Sequence, residues 1–183
     1  MDNIMDDLDK KYYSYGLDAQ LKGEYDTAIQ YYRTALTMTP NNIDIYYNLG
    51  VIFKKKEEYE KAIEIYKKAI TIDPENPDLY FSLGQCYEKV DQSKESILNY
   101  QKAISHYPAF AEAYFALGKL YIHEENKKMA ISSFANAVKI SGGYYDIIDQ
   151  FGLRKEVENY IETTKDLHEG FQSTKNKGIN PFE

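Results

Sequence analysis

The protein has 183 residues and a net charge of −7. Its charge and composition argue against several classes of structure and function. A general nucleic-acid binder is disfavoured, because such a protein needs a basic face to neutralise phosphates. The single cysteine, Cys86, excludes an intramolecular disulfide and a cysteine-based zinc cluster. No run of about 18 apolar residues occurs, so we expect no membrane span.

The chain begins with an acidic stretch that lacks the basic and apolar regions of a signal peptide. We therefore expect a cytoplasmic protein in a reducing compartment. Residues 1–8 are predicted to form an acidic extension that either frays or lengthens the first helix.

Eight helices are predicted next, in four pairs, from the helical spacing of the apolar residues. The first helix of each pair is expected near residues 9–22, 43–56, 77–90 and 111–124. The second helix is expected near residues 25–37, 59–72, 93–106 and 127–140. Pro40, Pro74 and Pro108 end the first three pairs, because proline cannot donate the backbone hydrogen bond that continues a helix. Asn42 and Asn76 are suitable caps for the helices that follow them.

The segment after the fourth pair starts with Gly142-Gly143, which can end a helix in place of proline. Apolar residues then recur at nearly helical spacing between Leu153 and Leu167. We interpret residues 145–169 as a capping helical segment with a polar outer side, as repeat arrays need. Two alternatives remain open: the segment mediates dimerisation, or it folds into the protein's own groove.

Residues 170–183 are polar and are predicted to form a flexible tail. The tail ends in Asn180-Pro181-Phe182, which resembles the ligand motif of Eps15-homology domains. A chance aromatic residue in an unstructured end is the simpler interpretation of so short a match.

The strongest pattern in the sequence is a repeat, in which the same residue types return four times at one fixed spacing. The glycine column is Gly16, Gly50, Gly84 and Gly118. The first aromatic column is Tyr12, Tyr46, Tyr80 and Tyr114, and the second is Tyr32, Tyr66, Tyr100 and Phe134. The small column is Ala28, Ala62, Ser96 and Ala130, and alanine also recurs at Ala35, Ala69, Ala103 and Ala137.

The glycine column needs a physical reason, since glycine inside a helix costs about 1 kcal/mol relative to alanine. We expect it to face the small column on the second helix, because two small residues let the helices cross at short range. The aromatic columns then fill the space between helices, and each buried ring contributes roughly 1.5–3 kcal/mol.

This order of aromatic, Leu-Gly, alanine and proline positions resembles the tetratricopeptide repeat, whose period of about 34 residues it shares. The resemblance covers four units, residues 9–42, 43–76, 77–110 and 111–144. Four positions depart from the usual pattern: Tyr15, Ala19, Ser96 and Gly142. The resemblance implies an all-α fold, a right-handed α-solenoid of four helix hairpins whose first helices line a concave groove.

The same resemblance implies which residues form a partner-binding groove. One aromatic residue of each unit faces it, at Tyr13, Tyr47, Phe81 and Phe115, and we call this set the ladder. The residues four places after the ladder are Leu17, Val51, Gln85 and Lys119. Asn48 and the lysines Lys10, Lys54, Lys55 and Lys89 complete the predicted set.

These side chains suit a protein partner that presents an extended peptide or a helix with apolar anchors and some acidic groups. The five groove lysines outnumber the three groove carboxylates Asp78, Glu88 and Glu112 (5 − 3 = +2), whereas the whole chain carries −7. This difference favours an acidic ligand. The open alternative is that the ladder rings serve packing between neighbouring helices.

A carboxylate clamp of the kind that grips heat-shock chaperones is not expected. That subtype of the family uses lysine, arginine and asparagine at fixed places on three first helices. The corresponding places here hold Tyr13, Leu17, Asn48, Asp78 and Ser82. Only Asn48 matches, and Asp78 has the wrong sign for a carboxylate.

We therefore predict a protein–protein interaction module or adaptor without enzyme activity, cofactor or metal. The three histidines are scattered, and neither a catalytic Ser-His-Asp context nor a phosphate-binding loop is recognisable. The alternative is a structural or assembly subunit that forms homo-oligomers through the apolar face of residues 153–168.

Overall fold

The computed structural model describes the backbone of residues 2–164 and the side chains of residues 8–164. Within this range the chain is helical and contains no strand, which confirms the predicted all-α fold class. The predicted tail, the motif at its end and the last residues of the predicted capping segment lie outside the described residues.

The helices pack in consecutive pairs, which form four hairpins. Their bounds are α1 Asp2–Leu21, α2 Tyr25–Met38, α3 Ile43–Lys55, α4 Tyr59–Ile72, α5 Pro77–Lys89, α6 Ser93–His106, α7 Ala111–His123 and α8 Lys127–Ile140. The predicted bounds of α4, α6 and α8 agree at both ends. Helix α1 begins at Asp2, so the acidic residues lengthen the first helix.

The chain divides into two compact units, Met1–Tyr107 and Pro108–Glu183. The first unit holds the hairpins α1–α2, α3–α4 and α5–α6, and the second begins with the hairpin α7–α8. Helices α3 and α5 start where the sequence predicts. The Asn42 side chain accepts hydrogen bonds from the backbone N–H groups of Asp44 (3.1 Å) and Ile45 (3.3 Å). Asn76 caps α5 in the same way.

The turn between the helices of each hairpin requires a left-handed backbone at one repeating position. Gly23 has φ +76°, and its equivalents Glu57, Asp91 and Glu125 have φ between +55° and +60°. In the second hairpin, the N–H of Glu58 bonds the Phe53 carbonyl at 2.9 Å, which closes a Schellman turn. Only the first hairpin uses glycine, the residue that adopts this conformation without steric cost.

The missing side chains of the glycine column face rings, whereas the sequence predicted that they would face the small column. A Cβ atom on Gly50 would lie 2.5 Å from Cζ of Tyr66, and one on Gly84 would lie 2.7 Å from Cε1 of Tyr100. Gly16 and Gly118 meet the rings of the second aromatic column in the same manner. The absent side chain therefore makes room for a ring of the facing helix.

The second aromatic column and the small column form the centre of each hairpin, where every member is fully buried. In the third hairpin the small column also reaches the glycine column, where Ser96 Oγ donates a hydrogen bond to the Gly84 carbonyl at 2.8 Å. This bond satisfies the one polar side chain in the small column. Small residues thus permit the close approach, and the rings fill the space that remains.

The second unit continues past α8 with a short 3-10 turn, Gly142–Tyr144, and helix α9, Tyr145–Asp149. Gly152 continues the glycine column at the same spacing, but it has φ +65° and separates α9 from a further helical stretch, residues 154–164. That stretch lies along α8: Lys127 pairs with Glu156 at 3.1 Å, and Ser132 shares a hydrogen bond with Tyr160.

Gly50→Ala should destabilise the protein, because the added methyl group overlaps the Tyr66 ring. Overpacking of this kind costs about 1–3 kcal/mol, against a gain of about 1 kcal/mol in helix propensity. Urea unfolding monitored by circular dichroism measures the difference in midpoint. Gly142→Ala is the matched control, since its Cβ would meet no atom within 4 Å. Equal midpoints for the two variants would contradict the ring–glycine contact.

Glu57→Gly should stabilise the protein by about 0.5–1 kcal/mol, because glycine removes the steric cost of the left-handed backbone at this turn. Glu64→Gly, the same replacement at an exposed position inside α4, should instead destabilise by about 1 kcal/mol. Thermal unfolding of both variants beside the parent chain measures the two shifts. A destabilised Glu57→Gly chain would show that the turn does not control the hairpin in this way.

Candidate functional site

The ladder rings have a structural role as well as a predicted binding role. Each packs on the second-column ring of its own hairpin, with ring centroids separated by 5.9 Å for Tyr13–Tyr32, 6.2 Å for Tyr47–Tyr66, 5.4 Å for Phe81–Tyr100 and 5.4 Å for Phe115–Phe134. Tyr47 nevertheless leaves 38% of its surface exposed, and the other three rings are half-buried. The rings therefore join the hairpin core to the surface.

The other predicted groove residues are all at least partly exposed. Leu17, Val51, Gln85 and Lys119 are half-buried, as are Asn48 and Lys54. Lys10, Lys55 and Lys89 are exposed. The predicted groove residues of the first unit lie on α1, α3 and α5, and we call this set the first-helix face: Lys10, Tyr13, Leu17, Tyr47, Asn48, Val51, Lys54, Lys55, Phe81, Gln85 and Lys89. Phe115 and Lys119 belong to α7 of the second unit.

The side-chain amide of Asn48 forms hydrogen bonds that link α1 to α3, so it is not free. Its Nδ2 group donates to the Tyr13 hydroxyl at 3.3 Å and to the Asp44 carbonyl at 2.8 Å, and its Oδ1 accepts from Gln20 at 3.4 Å. Burial raises the pKa of Tyr13, the charge of Asp44 adds to this effect, and the bond from Asn48 opposes it. Sequence reasoning missed Gln20, although polar residues recur at its place in three of the four units.

Lys54 ties α3 to α5, because its ammonium group donates to the Gln85 side-chain oxygen. Burial lowers the pKa of Lys54, a negative charge on Cys86 would oppose this effect, and the neighbouring Lys55 adds to it. Burial also raises the pKa of Cys86 to about 11, with Lys54 in opposition. Cys86 is fully buried, and it is protonated at neutral pH.

Two hydroxyl groups of the second aromatic column are satisfied by the residue 12 places earlier. Tyr32 Oη donates to Gln20 Oε1 at 2.8 Å, and Tyr100 Oη donates to Glu88 Oε2 at 2.9 Å. Both acceptors lie near the end of the first helix of the same hairpin. The core of these hairpins is thus connected to the first-helix side by one hydrogen bond each.

Tyr66 departs from this rule. The residue 12 places before it is Lys54, whose ammonium group has no acceptor to offer. The Tyr66 hydroxyl is buried and makes no hydrogen bond within the described residues, which costs about 1–3 kcal/mol. Burial raises the pKa of Tyr66. The nearby Ser82 hydroxyl lowers this pKa by a smaller amount, although the two hydroxyl groups do not reach hydrogen-bond geometry.

In the second unit, Tyr144 covers the ladder ring Phe115. Their centroids are 4.8 Å apart and the ring planes are inclined by 25°. Burial raises the pKa of Tyr144, and the charge of Glu112 adds to this effect. No sequence signal predicted this contact, because Tyr144 is the last residue of the fourth unit and belongs to none of the repeated columns.

No group of three or more histidine, cysteine or carboxylate side chains within residues 8–164 is placed to hold a metal ion. Among the described helices, none combines the length and the apolar character needed to cross a bilayer.

Tyr66→Phe should leave stability unchanged or raise it slightly, because the hydroxyl that it removes has no hydrogen-bond partner in the described part of the chain. Tyr32→Phe should cost about 0.5–1.5 kcal/mol, since it breaks the bond to Gln20. The two variants are matched in ring and in column, so the comparison isolates the hydrogen bond. Urea unfolding of each chain measures the change, and an equal loss in both would show that Tyr66 has a partner in solution.

Comparisons with known families agree with the repeat geometry. A model described as a TPR repeat matches residues 21–57 and 52–91, and two models described as the tetratricopeptide repeat match residues 77–110 and 99–132. These matches confirm the resemblance seen in the sequence. A comparison with curated proteins gave no significant match.

Solved structures of repeat proteins are similar over most of the chain. The crystal structure of a MamA protein is 26% identical, with a TM-score of 0.75, and the alignment covers 93% of this chain and 94% of that one. YrrB, described as a TPR protein with an unusual peptide-binding site, is 27% identical, with a TM-score of 0.64 and coverage of 74% and 70%. MamA from Desulfovibrio magneticus RS-1 is 21% identical, with a TM-score of 0.68 and coverage of 74% and 76%.

Proposed function

Because the chain belongs to the tetratricopeptide-repeat family, we propose that it is a non-enzymatic interaction module that binds an extended peptide or a helix of a partner protein. Its binding surface is the first-helix face. The partner presents apolar anchors and some acidic groups to Tyr13, Tyr47 and Phe81 and to the lysines of that face. The similarity to YrrB, whose structure is described as having a peptide-binding site, supports this proposal.

The observation that carries the proposal is the pair of side-chain links between neighbouring first helices. Asn48 connects α3 to α1, and Lys54 connects α3 to α5. These links connect side chains of three hairpins, while Tyr47 on α3 remains 38% exposed. A surface that is ordered before binding loses less conformational entropy when a ligand docks.

The segment after α8 is proposed to cap the fourth hairpin. Leu153 is 4% exposed and Val157 is fully buried within the same chain. Since these apolar residues are already covered, they offer little surface for a second copy, and we do not propose self-association as the function. Homo-oligomerisation, the cytoplasmic setting and the lack of a chaperone clamp stay predictions.

Tyr47→Ala should weaken capture of the partner about tenfold or more, because an exposed ring at the centre of an interface is a typical hot spot. Affinity capture from the cells that express the protein, followed by titration of each recovered partner, measures the effect. Circular dichroism checks that the helical signal is retained. Leu98→Ala is the control: Leu98 is 52% exposed on the second helix α6.

Partner capture that is unchanged by Tyr47→Ala, or reduced equally by both variants, would reject the first-helix face as the binding surface. Loss of capture only in Tyr47→Ala would support it.

A further inference from the structure

Lys54 occupies the position 12 residues before a ring of the second aromatic column. It is the one residue at this position whose side chain does not match its ring. Gln20 and Glu88 accept hydrogen bonds from tyrosine hydroxyls. Ile122 occupies the same place in the fourth hairpin, where the ring is Phe134 and has no hydroxyl. A glutamine or glutamate at position 54 would provide Tyr66 with an acceptor. The lysine therefore lacks an explanation in the packing of its own hairpin.

The charge of Lys54 is also uncompensated. Its ammonium group bonds a neutral amide oxygen, that of Gln85, and forms no ion pair with any carboxylate of the described residues. Its electrostatic neighbours are the protonated thiol of Cys86 and a second cation, Lys55. A partly buried cation without a counter-ion is unfavourable, and an anion placed beside it relieves that cost.

The position of Lys54 places it beside the apolar part of the first-helix face. Tyr47, Val51 and Lys54 follow one another at spacings of four and three residues, so they share one side of α3. Gln85 reaches the same place from α5. An ammonium group has three donors, and only one is used by Gln85, which leaves two for an incoming oxygen atom.

We propose that Lys54 and Gln85 form a subsite for a side-chain carboxylate, so that the partner peptide carries glutamate or aspartate opposite Lys54 and an apolar residue opposite Tyr47 and Val51. The carboxylate accepts hydrogen bonds from the Lys54 ammonium group and from the Gln85 amide N–H. This inference rests on the proposed function of the first-helix face. It differs from a clamp for a free C-terminus, because the ligand group is a side chain within the peptide.

The test uses an array of random short peptides that are acetylated at one end and amidated at the other, so that no free terminal carboxylate is present. The full-length protein is used as the probe. Each bound peptide is then resynthesised with every glutamate changed to glutamine and every aspartate to asparagine, one position at a time. Affinities are measured for the parent chain, for Lys54→Met and for Lys68→Met. Lys68 is an exposed residue of α4 outside the first-helix face, so it controls for the change in net charge.

The expected result is that one amide replacement in each peptide lowers its affinity for the parent chain about tenfold. The same replacement should have no effect on Lys54→Met, and Lys68→Met should behave like the parent. Circular dichroism and the unfolding midpoint establish that Lys54→Met is folded. Lys54→Gln provides a second variant, which removes the charge and restores an acceptor for Tyr66.

Two results would overturn the inference, and they differ in what they say about the proposed function. If peptides bind but the amide replacement weakens binding equally to the parent and to the Lys54 variants, Lys54 is not the subsite and the first-helix face still binds peptides. If no blocked peptide binds the parent chain at all, the inference and the proposed function both fail.

Discussion

The contact between a ring and the backbone of a glycine on the facing helix is the constraint on which each hairpin depends. A side chain at Gly84 would collide with the Tyr100 ring, so the distance between the two helices is fixed by the absence of a Cβ atom. The ladder ring Phe81 packs on another part of the same tyrosine. Glycine, buried ring and ladder ring therefore form one stack that runs from the core to the surface. The position of the proposed binding surface is determined by the same contact that determines the fold.

Polar groups connect the core to the first-helix face in a second way. From the buried Tyr32 hydroxyl, hydrogen bonds run through Gln20 and Asn48 to Tyr13, so that a core residue and a ladder residue belong to one network. A buried hydroxyl needs a partner, and a partner on the first helix also orders the surface. In the second hairpin this connection is replaced by the link from Lys54 to α5. The face is therefore not uniform along its length, because only its middle hairpin has a lysine where the other two have an acceptor for the buried tyrosine.

The helices and their pairing could be predicted from the sequence, because a constant repeat spacing and proline or asparagine at fixed places are local signals. The partner of the glycine column could not. The small and the aromatic columns lie one helical turn apart on the same facing helix, and only the crossing of the helices in the structure decides which column the missing Cβ atoms face. Sequence spacing also placed the ladder on the first helices, but it could not show that Lys54 bonds Gln85 and that the Tyr66 hydroxyl has no hydrogen-bond partner among residues 8–164. That choice depends on the side chains of a neighbouring hairpin, which no single-unit pattern contains.

At Gly152 the sequence still follows the repeat pattern, but the structure no longer does. Ile148 and Gly152 stand where a fifth unit would place its first aromatic and its glycine, yet the chain turns at Gly152 with φ +65°. The residue type that gives each earlier hairpin its close contact is also the type that most easily adopts the backbone of a turn. Gly152 thus continues the glycine column in the sequence but lies in a turn in the structure. Glycine at the repeat spacing is consequently not sufficient to keep the chain helical at that position.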